Sequence, residues 1–416
     1  MFIPAGKLIV ALIWAFWMMG VDSSLGREHN DTEEQIKKII KVTEEDNPEY
    51  NPTYGSTLER VLDNGVVSCG TKMDFTGFSE KGWDEETGLE WSGFDVDICR
   101  AVASAIFGDM TMVEFVVVDG NTRFSYLIDG SIDVLSAATT YTFSRNVSKK
   151  LEFLPTTYYD GQGFITRKTL GVSSAKQMEG AKICFSSTGT AAKNIQDFFQ
   201  LHEINYIPIV VQVGEKSKDW YLDGRCDMYG TDRSGLASNR TTFKDSDWHI
   251  VLPEVISKEP LGPVVKYGDQ KWSDIVRWTV YVLFIAEELG ITSENVDDFI
   301  EHKNPAIQRF MGERDGKDFP NLGAKLGLRS TWASDIIREV GNYAEIYERN
   351  LGPKTKLGLD ALRQYRWSTT ERGEVKNRPV HDWTSHSADA FRYLAVGLNT
   401  SSNWSTEIKY PSLGIM

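Results

Sequence analysis

From Val66 to Tyr229, short apolar runs alternate with segments whose apolar residues recur every three or four positions. That alternation constrains the fold of this chain more than any other feature. Strands are expected at Val66–Gly70, Val113–Val118 and Ile132–Leu135, with helices at Phe94–Phe107 and Arg123–Ile128, the latter ended by Gly130. The same pattern then starts again. It has strands at Ala181–Phe185, Ile207–Val213 and Asp227–Tyr229, and helices at Ser174–Met178, Ala191–His202 and Lys218–Leu222. Strands separated by helices pair in mostly parallel sheets covered on both faces, so the fold class is α/β with two such units. Before them, LERVLDNG is expected to form a helix closed by Asn64 and Gly65. After them, long helices are expected at Trp272–Leu289 and Ser334–Arg349.

The 416 residues leave room for two or three domains, and a formal charge of −14 argues against a partner that presents a phosphate backbone. Lys7 is followed by an unbroken apolar run from Leu8 to Val21, then by small residues near Ser24 and Gly26. Such a run suits a signal peptide and falls short of the ~20 residues a helix needs to span a bilayer, so residues 1–26 are expected to be a removed leader. Residues 27–56 form an acidic extension with one short helix expected at 33–42. Four cysteines in an exported chain favour disulfides, and four allow three connectivities. No C-x-x-C or H-x-x-x-H spacing points to a metal, and no cofactor is expected.

Motifs narrow the reading. GFDVDIC, DGSIDVL, TTYTFSR and YYDGQGF follow one another between Gly93 and Gly163, and GRCDMYGTDRSGLA and LPEVISKEPLGPVVKYGD come later. This order resembles the family 3 extracellular solute-binding proteins of ABC importers, and in particular the general L-amino-acid-binding branch, over about residues 56–352. The resemblance implies a two-lobed, type II periplasmic-binding-protein-like fold with the ligand in the interlobe cleft. Lobe 1 would comprise residues 57–163 and, after lobe 2 (167–255), residues 257–352. The two hinge crossings fall at Gly161–Arg167 and Glu254–Pro263. This lobe assignment favours the pairs Cys69–Cys99 and Cys184–Cys226.

A free amino acid carries a carboxylate and an ammonium on one carbon, so its site needs a cation and an anion side by side. The family's T-x-x-R signature falls on Thr142 to Arg145, which implies that Arg145 grips the carboxylate, helped by Thr140. Asp232, just past a strand of the second lobe, matches the ammonium-binding acid, and Thr190 matches a threonine that reaches the carboxylate from the same lobe. The loop here reads Thr188, Gly189, Thr190 in place of a Gly followed by two Thr. Phe75 matches the aromatic laid against the ligand, and Phe78 is assigned to the core. Lys72 sits where relatives vary with ligand side chain, and a base there favours glutamate or aspartate. Ala137 and Ala138 replace bulkier residues of relatives, so contacts there are expected from backbone groups. Asp95 and Asp97 open a helix, where acids cap free amides.

From about Gly358 the text changes. The stretch ending SHSADAFRYLAVGL resembles the C-terminus of phage terminase large subunits, with Asp389 at a metal-binding acid. The remaining acids and the ATPase loop of that enzyme are missing, so residues 353–416 are expected to be a joined fragment without DNA chemistry, and His381 and His386 exposed helix-start residues. The whole is expected to be a periplasmic or secreted monomer that binds free L-amino acids, polar or acidic, for ABC permease subunits, without catalysis. It is not expected to span a membrane or bind nucleic acid. The alternatives are a lyase or dehydratase on the same fold, or a sensor domain.

Overall fold

The structure, a computed structural model, describes residues 57–83, 85, 87–212, 216–311, 322–352 and 355, and the strands at 367–369 and 375–379. The expected leader, the acidic extension with its helix, and His381, His386 and Asp389 lie outside the described residues; of the five N-x-[ST] sequons in the sequence, at Asn30, Asn146, Asn239, Asn399 and Asn403, the first and the last two do as well.

The first lobe begins with α1 (Thr57–Asn64) and β1 (Val67–Thr71). A small antiparallel sheet follows, formed by β2 (Asp74–Phe75), β3 (Ser79–Lys81) and β4 (Trp91–Ser92). Then come α2 (Phe94–Phe107), β5 (Val113–Val117), α3 (Thr122–Asp129), β6 (Val134–Leu135), α4 (Phe143–Ser148) and β7 (Leu151–Phe153). β8 (Tyr158–Asp160) leads out of this lobe into β9 (Gln162–Arg167). The second lobe continues with β10 (Ala181–Ser186), α5 (Ala191–Leu201), β11 (Tyr206–Val211), α6 (Ser217–Leu222), β12 (Met228–Asp232), α7 (Arg233–Thr241) and β13 (His249–Val251). β14 (Glu259–Leu261) returns the chain to β15 (Val264–Lys266), α8 (Gln270–Leu289), α9 (Pro305–Met311), α10 (Leu322–Leu326), α11 (Trp332–Val340) and α12 (Tyr343–Asn350). Within the tail, β16 (Trp367–Thr369) and β17 (Val375–Pro379) pair antiparallel.

The first lobe's sheet has the order β5-β1-β6-β15-β7 and the second lobe's β11-β10-β12-β9-β13. In each, four strands run the same way and one, β15 in the first and β9 in the second, runs against both of its neighbours. Cys69 of β1 is joined to Cys99 of α2, and Cys184 of β10 to Cys226 before β12, so each bridge staples a strand within its own lobe.

Three features differ from the sequence expectation. Gln162–Arg167 is not a crossing but a strand held between β12 and β13. The crossing itself is β8, which pairs antiparallel with β14 through Tyr158↔Leu261 and Asp160↔Glu259. One strand leaves the first lobe and the other returns to it, so they run in opposite directions and can form a two-stranded ribbon. The single helix expected at Ser334–Arg349 is broken into α11 and α12. Gly341 adopts φ 86°, and Asn342 caps α12 in a reciprocal box with Glu345. Asp95 and Asp97 do not cap α2, whose N-cap is Gly93. Asp97 instead binds Arg100, Arg349 and Asn350, tying α2 to α12, while Asp95 holds the loop after β6.

Candidate functional site

β1 and β6 of the first lobe and β10 and β12 of the second end at one cleft, the place where open α/β sheets offer backbone and side chains to a ligand. The lobes meet around it. Asp74 on β2 forms an ion pair with Lys216 of the second lobe, and the loop at Gly120 lies against Thr188.

The loop after β6 is built by Asp95, which accepts hydrogen bonds from the Ser136 hydroxyl (2.9 Å) and the Ala138 amide (2.8 Å). Ala138 sits at φ 45°, a conformation that a non-glycine residue adopts only when its surroundings insist. Its amide therefore serves Asp95 and does not face the cleft. Thr142 accepts the Arg145 amide and so caps α4, which is the local work of T-x-x-R: the threonine starts the helix and the arginine stands one turn in. Arg145, only 7% exposed, donates from Nη1 to the Thr140 carbonyl (2.7 Å) and lies 5.5 Å from the centre of the Phe124 ring. Burial lowers its pKa, opposed by Glu259 and Asp232 across the cleft.

Lys72 follows directly on β1 and holds its ammonium 4.4 Å from the centre of the Phe75 ring, itself stacked on Phe78 at 4.6 Å. Phe78 is core, as expected, and Phe75 is nearly as buried. Burial lowers the Lys72 pKa, and Asp232 opposes this.

In the second lobe, Asp232 ends β12 and accepts from Gln162 Nε2 (3.2 Å). The same amide nitrogen donates to Thr190 Oγ1 (2.6 Å), bringing the two sequence-predicted residues of this lobe together. Thr190 in turn donates to Glu259 (3.2 Å), and Asn194 and Ser257 also donate to that carboxylate. The Thr190 hydroxyl proton is thus committed to the hinge. Burial raises the Asp232 pKa, Glu259 adds to the rise, and Lys72, the Gln162 amide and Arg123 oppose it.

Four participants escaped sequence reading: Arg123, Asp160, Gln162 and Glu259. Arg123 stands in the first turn of α3, 9% exposed, and its Nε has no hydrogen-bond partner among the described residues. Its guanidinium lies 4.7 Å from the centre of the Phe124 ring, and its pKa is lowered to about 10 by burial and by Arg145. A lone Arg opening a helix carries no sequence signal that it points inward. Asp160 and Gln162 lie within YYDGQGF, and Glu259 within the second crossing, where nothing local in the sequence marks a role for them.

Among the described residues no group of three or more His, Cys, Asp or Glu is placed to hold a metal, and no helix is long and apolar enough to cross a membrane. His249, the one strand-end histidine of the second lobe, is bound by Tyr221 and Asp245. It pairs with Arg167, at the end of β9 opposite Gln162 and the cleft. The sequon residues Asn146 and Asn239 both donate internally, to Leu151 O and Tyr229 OH.

Residues 67–353 match the profile of the bacterial extracellular solute-binding proteins, family 3. Among curated proteins, the chain is 47% identical over 312 residues to the general L-amino acid-binding periplasmic protein AapJ of Rhizobium johnstonii, covering 74% of this chain and 89% of that one. It is 42% identical over 314 residues to the glutamate/glutamine/aspartate/asparagine-binding protein BztA of Rhodobacter capsulatus, covering 75% and 90%. Among solved structures, an ABC transporter periplasmic binding protein from Brucella ovis with glutathione bound is 41% identical, with TM-score 0.69 over 79% of this chain and all of the other.

Proposed function

Since this chain belongs to the bacterial extracellular solute-binding proteins of family 3, we propose that it binds free L-amino acids between its lobes and delivers them to an ABC-type importer outside the cytoplasm. The observation that carries this reading is the opposition of Arg145 and Asp232, a buried cation from one lobe and a half-buried acid from the other, facing each other across one cleft. A carboxylate on Arg145 and an ammonium on Asp232 would let each lobe hold one end of the ligand. Binding then stabilises the closed form, because only that form offers both partners.

Thr140 and Phe75 complete the first lobe's share. On the second lobe, the carboxylate would meet the backbone amides at the start of α5, where Thr190 stands as N-cap residue without a side-chain cap bond. Lys72 and Arg123, whose Nε has no hydrogen-bond partner among the described residues, are two cations close to Asp232, which supports a ligand with a second acidic group. That favours glutamate or aspartate. Glutathione, bound to the Brucella ovis relative, also pairs an amino-acid head with a further carboxylate and belongs in the same test.

The reading assigns no catalysis. His249, at the start of β13, is bound by Tyr221 and Asp245 and lies away from the cleft. It makes residues 1–26 an export leader, the protein a monomer, and residues 353–416 a passenger whose removal leaves affinity unchanged. The test is a thermal-shift panel of the twenty L-amino acids and glutathione, with mass spectrometry of the recovered ligand. Stabilisation by acidic amino acids, recovered intact, is expected; a chemically altered ligand would replace the binding reading with the lyase one.

A further inference from the structure

Asp232 occupies the position from which an aspartate ordinarily caps the helix behind it, yet its side chain makes no bond to the first turn of α7. The cap comes from the hinge. Asp160, the last residue of β8, accepts the Ser234 amide at 3.2 and 3.4 Å through its two oxygens, the Ser234 hydroxyl, and the Gly161 amide at 2.7 Å. Ser234 is the second residue of α7, so its amide is one of the four that a helix start leaves unpaired. Two carboxylates therefore stand at one helix start, and only one of them caps it.

The charges around this pair are few. Asp232 is the leading charge on Asp160, and Glu259, the register partner of Asp160 across the ribbon, is the leading charge on Asp232. Lys72 faces both acids from the first lobe, and Arg123 and Arg145 face Asp232. Tyr158 of the same strand faces Asp160, and Arg233 beside it bonds the carbonyls of Leu252 and Glu254.

We propose, resting on the amino-acid-binding reading above, that Asp160 is a positioning residue of the ligand site. By capping α7 in place of Asp232 it leaves Asp232 to receive the ligand's ammonium, and as a second carboxylate beside it, it makes that binding release a proton to solvent. The Asp160 carboxyl is held up to about 7, by burial first and by Asp232 next. An ammonium at Asp232 cancels this repulsion, so the proton that the pair shares departs.

The test uses L-glutamine, whose side chain does not titrate, in calorimetry of the full chain at pH 8, 7 and 6 in buffers of different ionisation enthalpy. The wild type should bind about tenfold more weakly at pH 6 than at pH 8 and release about half a proton per ligand at pH 7. Asp160→Asn keeps an oxygen for the Ser234 amide and removes the charge. Its affinities at the two pH values should lie within about threefold, with no proton released. Asp160→Ala should show the same flat profile with a lower melting temperature. A wild type without proton release, or an Asp160→Asn variant that keeps the tenfold loss, overturns the proposal while leaving amino-acid binding intact. A wild type that binds none of the twenty amino acids at pH 8 overturns the functional reading, and this proposal with it.

Discussion

Gly120→Ala should impair ligand binding while leaving the fold intact. A Cβ at Gly120 would fall 2.1 Å from Thr188 Oγ1 and 2.8 Å from Thr188 Cβ, well inside contact distance. Thr188 cannot swing clear, because its side chain is short and β-branched and its hydroxyl is already paired with Ser186. The two residues belong to different lobes, so the strain is relieved by opening the cleft, not by repacking a core. Overpacking by one methyl costs about 1–3 kcal/mol, and if that cost falls wholly on closure it weakens binding by roughly five- to 150-fold at ~1.4 kcal/mol per decade. Unfolding in urea should change by less than about 0.5 kcal/mol, since the open form bears no clash. Calorimetry with L-glutamate gives the affinity, and small-angle scattering gives the fraction closed at saturation. Adding Thr188→Gly removes the opposing Cβ and should restore affinity. Binding by Gly120→Ala within about twofold of the wild type would refute the reasoning, as would a double variant no better than the single.

Three further outcomes are expected. Arg123→Gln and Lys72→Ala should each reduce the preference for L-glutamate over L-glutamine by about tenfold, the worth of ~1.4 kcal/mol, and equal ratios in wild type and variants would remove both from the ligand's side-chain end. The free protein should lose stability as pH rises from about 4 to about 7, because Asp160, raised from 3.8 to about 7, is protonated in the fold and ionised in the unfolded chain across that window. At about 1.4 kcal/mol per pH unit the loss is at most about 4 kcal/mol; Asp109, Asp119 and Asp129, whose pKa values are lowered by hydrogen bonds, act oppositely below about pH 4, and His249, whose pKa burial lowers, acts oppositely below about pH 6.5 and reduces the net loss. Melting temperatures that rise across this window would contradict the assignment. Replacing both Cys184 and Cys226 by Ser should cost about 2–4 kcal/mol in urea unfolding, the signature of a bridge that closes a long loop in the second lobe.

Period and punctuation made the sheets legible, because a buried strand reads as an apolar run and a helix such as Phe94–Phe107 reads as a 3.6-residue stripe whatever surrounds it. The local shape of T-x-x-R was legible for a related reason: the capping threonine and the arginine lie within one turn, so the motif needs no distant partner. The break at Gly341 was signalled by one glycine and the N-x-x-E that follows it, inside an apolar pattern that periodicity reads as continuous. What stayed hidden depends on groups far apart in sequence. The antiparallel ribbon joins residues about a hundred positions apart. Asp160 caps a helix 74 residues away, and Gln162 spans Thr190 and Asp232. The burial of Arg123 depends on which way one helix face turns, and local spacing does not encode that.

The central claim is that Arg145 and Asp232 hold the two charged ends of one amino acid. Calorimetry of the full chain against L-glutamate, repeated with Arg145→Ala and Asp232→Ala, tests it most directly. The wild type should bind at about micromolar strength, roughly −8 kcal/mol. Each variant, folded by circular dichroism, should bind at least about a hundredfold more weakly, since removing one partner of a buried charge pair costs about 3–5 kcal/mol. Affinity retained within about tenfold in either folded variant would contradict the account.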